Sequence, residues 1–129
     1  MKPNYEIIKM VDKAMDEARK NYMQWFNSQV EIWGDDEFLT YVSMCKGGNF
    51  MANIFTGSGE ECSKIYKNLD KELYKRGIML WYETKFVAIG FGIDSLTGPT
   101  PIFKPDKNYV IWLAYSGKGK WQYGINIAN

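Results

Sequence analysis

The chain has 129 residues, 46% of them apolar and 16% aromatic, with a formal net charge of +1 and no histidine. This length fits a single domain, 1–129, whose core stands without disulfide or metal staples. The near-neutral balance supplies no long-range field toward nucleic acid or anionic membrane, and the missing imidazole removes Ser-His-Asp and Cys-His catalysis and His-ligated metals.

The first twenty residues, MKPNYEIIKMVDKAMDEARK, carry charge throughout and contain no apolar h-region. No signal peptide is expected there. No apolar run approaches the length of about 18 residues that spans a bilayer. Residues 4–30 predict a helix. Ile7, Ile8, Val11, Met15, Ala18, Tyr22, Trp25 and Phe26 recur at three- and four-residue spacing, and charges of both signs fill the opposite side. Gly34 and the acidic run Asp35, Asp36 and Glu37 follow as a turn. Consecutive side chains diverge there, so these acids read as solvated rather than catalytic.

Two alternating runs, 38–45 and 49–55, flank Lys46-Gly47-Gly48 and predict a β-hairpin. The stretch TGSGEE (56–61) then raises the question of a phosphate loop. A Walker loop needs lysine and Ser/Thr after its last glycine, but Glu60 and Glu61 stand there. Their carboxylates already occupy the positive end of a helix. Ser58 and Glu61 instead have the spacing of a capping box, opening a helix over 59–76. Gly77 closes it.

The remainder reads as strands over 78–83, 86–93, 109–116 and 120–128, with 94–108 as a loop because of its three prolines. The order is α-ββ-α-ββββ. This predicts an α+β fold, a mostly antiparallel sheet of about six strands with two helices on one face. Cys45 and Cys62 read as reduced core thiols, since neither has a base nearby. No metal site and no cofactor are expected. Glu83 and Asp94 are the remaining carboxylates for an enzymatic reading, without a visible partner.

The aromatic residues carry the functional expectation. Tyr109, Ile111, Leu113 and Tyr115 alternate with Val110, Trp112 and Ala114, while Trp121, Tyr123, Ile125 and Ile127 share one face of the last strand. Both faces of 78–83 and 109–116 therefore carry large apolar groups, and helices cover only one. The uncovered face is expected to meet a second molecule. Candidate binding residues are Trp81, Trp112, Trp121, Tyr123 and Tyr109, with Lys118 and Lys120 at the rim. Trp81 and Trp112 lead, because Ala114 and either Gly90 or Gly92 beside Trp112 would leave its ring accessible. The expected partner is another protein or a second copy of the chain, a small-molecule ligand being the alternative; no membrane is expected, and the charge balance does not favour nucleic acid.

The leading functional expectation is thus a non-catalytic cytoplasmic binding protein. An inhibitor, an immunity protein or a phage counter-defence factor would have this character, and the excess of lysine over arginine, 14 to 2, fits an AT-rich bacterial or phage genome. The alternative is a small-molecule or nucleotide binder with a pocket between the C-terminal sheet and the 94–108 loop. An enzyme using Glu83 or Asp94 is the third.

Overall fold

The computed structural model describes residues 2–34, 50–80, 90–94, 98–117 and 119–128. Helix α1 runs from Lys2 to Trp33 and strand β1 from Phe50 to Ser58. Helix α2 follows at once, Gly59–Lys75, and then β2, Met79–Leu80. The chain finishes with β3 (Gly90–Asp94), β4 (Gly98–Ile102), β5 (Asn108–Tyr115) and β6 (Trp121–Ala128). The protein is an α+β fold, and the described part of its main sheet has four strands in the order β1-β5-β6-β2.

The described strands form a sheet of four and a separate pair, β3 with β4, and a single sheet of about six strands is not confirmed. β2 also runs parallel to β6, although the other pairings are antiparallel. The prolines misled the reading of 94–108, since β4 lies within it. Pro99 and Pro101 are two residues apart, so both missing N–H groups fall on the same edge of β4. A two-stranded ladder tolerates that on the side turned away from its partner. The expected strand 38–45 lies outside the described residues, as does 81–89, so the two hairpins proposed for those segments stand untested.

The core lies between the helices and one face of the four-stranded sheet. Ala52, Ile54, Tyr109, Ile111, Leu113, Tyr123 and Ile125 come from the sheet. Ile7, Val11, Ala14, Met15 and Ala18 come from α1, and Cys62, Leu69 and Leu73 from α2. The alternation read from the last two strands sets this face: Ile111 pairs with Ile125 and Leu113 with Tyr123. β1 breaks alternation through a register shift between Asn53 and Phe55, which lets both Ile54 and Phe55 pack on the core.

The capping box is present. The Glu61 amide donates to Ser58 Oγ at 3.2 Å, and the Ser58 amide donates to Glu61 Oε1 at 3.1 Å. These bonds hold the Glu61 carboxyl below the ordinary carboxylate range. Gly77 takes φ +74° just beyond the helix, a conformation that favours glycine. At this end Arg76 joins the two helices. Its guanidinium reaches Asp12 Oδ1 of α1 at 2.9 Å and Glu72 Oε2 of α2 at 3.1 Å. Burial works against the charge on Glu72, but Arg76 and Lys75 hold its carboxyl below the ordinary range.

Candidate functional site

Most of the aromatic residues singled out from the sequence are interior. Tyr109 and Tyr123 belong to the core beneath the helices. Trp112 points to the opposite face of the sheet, as its alternation requires, yet it is only 6% exposed within the single chain. Its neighbour across the ladder is Gly124, and a Cβ built at Gly124 would overlap the indole ring. The ring therefore lies down on β6. Small neighbours were expected to leave the indole accessible; here the glycine opposite creates its seat. Trp112, Tyr109 and Tyr123 do not offer a surface to a partner.

Trp121 is half-buried at the other end of β6. It stacks on Tyr115 with centroids 4.3 Å apart, and the Arg19 guanidinium lies over its ring at 5.2 Å. Lys120 is exposed in the β5–β6 turn, where its amide donates to the Gly117 carbonyl at 3.0 Å. Trp81, Lys118 and Glu83 lie outside the described residues. Asp94 pairs with Gly98 at the end of the β3–β4 ladder.

Where the alternative reading places a ligand pocket, the segment after β4 packs on the sheet and on α2. Phe103 packs on Tyr66 and Tyr109 with centroids 5.5 and 5.1 Å away. The Lys104 amide donates to the Tyr109 hydroxyl at 2.9 Å. Beside them, Tyr123 donates to Asp70 Oδ1, and Tyr66 lies 2.8 Å from the Tyr123 oxygen. Because the Tyr123 hydroxyl directs its own hydrogen at Asp70, Tyr66 is the donor in that second bond. Burial, reinforced by the Asp70 charge, raises the pKa of both phenols, so both stay protonated at neutral pH. This arrangement ties α2 to the centre of β6.

Cys62 is equally inert. It is fully buried, its Sγ donates to the Gly57 carbonyl at 3.8 Å, and burial pushes the thiol up to about 11. Its thiolate is scarce at neutral pH, so alkylation of Cys62 in the native protein is expected to be far slower than after unfolding. Mass spectrometry of iodoacetamide-treated protein checks this; equal rates in both states would show an open thiol. Among the described residues no cluster of three His, Cys, Asp or Glu side chains could hold a metal ion.

Exposed apolar side chains gather on the last turns of α1. Packing of this helix on the sheet ends in an aromatic group. Tyr22 touches Phe50 at 5.8 Å and Tyr115 at 5.0 Å, and Trp25 meets Phe50 at 5.4 Å. The helix continues to Trp33, and Met23 on its flank is 48% exposed, with Val30 and Trp33 each 39% exposed beyond the aromatic group. Ile32 is also exposed. Residues 21–30, NYMQWFNSQV, carry no charge, whereas every turn before them does. That composition change was the available signal. Ending the helix at residue 30 and assigning Trp25 and Phe26 to the core stripe hid it.

No protein family model, curated protein or solved structure matches this chain. No helix among the described residues is long and apolar enough to cross a membrane.

Proposed function

We propose that this chain is a small non-catalytic binding protein that engages another protein chain through the far end of α1. The supporting observation is that uncharged surface, which exposes Met23, Val30 and Trp33 together. Interface cores are depleted of charge and enriched in tryptophan, phenylalanine and methionine. Isolated apolar residues on a surface are ordinary, but three on neighbouring turns form a patch. Among the described candidates, Tyr109, Trp112, Trp121, Tyr123 and Cys62 are engaged in packing, which suits an inhibitor, immunity or counter-defence role in the cytoplasm better than catalysis. That assignment of role is by analogy of size and chemistry.

A photo-crosslinking amino acid placed at Val30 tests the reading, with the same group at the exposed Lys67 of α2 as control. Adducts in cells that form from position 30 and not from position 67 are the expected result. Adducts from position 67 alone, or from neither, would reject this surface.

A further inference from the structure

Independently of the α1 surface, we infer that the outer side of α2 binds single-stranded nucleic acid, with Lys67 and Lys71 on its phosphates and Tyr74 stacked against a base. Lys64, Lys67, Lys71 and Lys75 follow one another at spacings of three, four and four residues, so they share one side of the helix with Tyr74. All five are exposed, and among the described residues no large apolar or aromatic side chain is more exposed than Tyr74, at 66%.

The net charge of +1 conceals this row, because most acids of the same helix are turned into its structural bonds. Glu61 closes the cap with Ser58, Asp70 accepts from Tyr123, and the buried Glu72 accepts from Arg76. Lys64 and Lys75 stand at the ends of the row, 3.6 Å from Glu60 and 3.4 Å from Glu72. Between them, Lys67 and Lys71 have no ion-pair partner among the described residues. The lysines of α1 differ, since Asp12, Asp16 and Glu17 stand among Lys9, Lys13 and Lys20.

The chemistry of the row selects the ligand. Lysine is depleted from the cores of protein interfaces, and this side of α2 carries no aliphatic anchor, so a polyanion fits it better than a folded protein. Lys67 and Lys71 are four residues apart, a rise of about 6 Å. That step is comparable with the one between neighbouring phosphates of an extended strand. A lysine ammonium is a point charge, which meets a phosphate without reading a base. Tyr74 supplies a flat ring beside them. Such a ring stacks on an unpaired base but cannot reach the face of one inside a duplex. The ligand is therefore a single strand, held with little sequence preference.

Fluorescence anisotropy with a labelled oligothymidylate at low salt tests the site. The wild-type chain should bind it more tightly than a duplex of the same length. Lys67→Gln with Lys71→Gln should weaken binding at least about tenfold and flatten the slope of log affinity against log salt by about 1.4, the share of two phosphate contacts at about 0.7 each. Lys13→Gln with Lys20→Gln removes the same charge from α1 and should leave both quantities nearly unchanged. Tyr74→Ala should weaken binding at least about fivefold without altering the slope. These side chains are exposed, so the melting temperatures should match wild type. A wild-type chain that does not bind, equal losses from the α1 and α2 pairs, or no loss from Tyr74→Ala would overturn the inference. Tighter binding of a polyglutamate peptide than of the oligothymidylate would also overturn it, in favour of an acidic protein partner. Nuclease treatment of the crosslinked products removes nucleic acid joined at position 67, so the α1 surface is judged by its protein adducts alone.

Discussion

Replacing Trp112 with alanine should lower the stability of the fold by about 3–5 kcal/mol, the usual cost of emptying a buried aromatic site. The indole is almost wholly covered in the single chain, and it rests on Gly124 of the adjacent strand. Removing it strips β5 of its largest group on that face and leaves the glycine backbone of β6 without cover. The same contact makes a second measurement informative. Gly124→Ala forces a methyl group into the space of the ring, so it should destabilise the wild-type chain. In a Trp112→Ala chain that methyl group has room. The two changes should therefore cost less together than the sum of their separate effects, by about 1 kcal/mol or more. Urea denaturation of the four chains gives the cycle. Additive losses would show that the ring and Gly124 act independently, and an unchanged midpoint for Trp112→Ala would show that the ring stabilises nothing.

The contrast between Trp112 and Met23 marks where sequence reading works in this chain and where it stops. Period-two alternation sorted Tyr109, Ile111 and Leu113 from Trp112 and Ala114, as the burial of the first three in the core shows. Alternation reports which residues share a face. It does not report what covers that face, because covering groups come from distant parts of the chain. Trp112 was therefore assigned to the surface. The capping box and the closing glycine of α2 were legible because their signals are local, within a few residues of each helix end. The β3–β4 pair was not. Its prolines obey an edge rule that depends on a partner strand rather than on their own segment. At α1 the apolar stripe was recognised, but its length relative to the sheet is a tertiary quantity. Only the packing shows that Tyr22 and Trp25 meet Phe50 while Met23, Val30 and Trp33 stay exposed.

Gly59→Ala should destabilise the protein by about 3 kcal/mol, the upper end of what overpacking ordinarily costs. Helix propensity alone gives the opposite sign, because alanine is the best helix former and gains about 1 kcal/mol over glycine in a helix interior. Position 59 opens α2 directly after the Ser58 cap. Its backbone is pressed against the segment that follows β4: the Gly59 amide donates to the Lys107 carbonyl at 2.7 Å, and a Cβ at Gly59 would overlap the Lys104 carbonyl oxygen. The obstacle is backbone, which cannot turn aside as a flexible side chain would. Moving it would also strain the bond from the Lys104 amide to Tyr109 and shift Phe103 off Tyr66. This explains why TGSGEE holds a glycine there without a phosphate to bind. The helix end is occupied by Ser58, Glu61 and the carbonyl of Lys107, and the glycine admits the turn between β4 and β5 of the same chain. Ser58→Ala supplies the scale, since losing a cap costs about 1 kcal/mol. Thermal and urea melts of the two variants should rank Gly59→Ala well below Ser58→Ala. A Gly59→Ala chain as stable as wild type, or more stable, would show that propensity governs this position and that the contact with Lys104 yields.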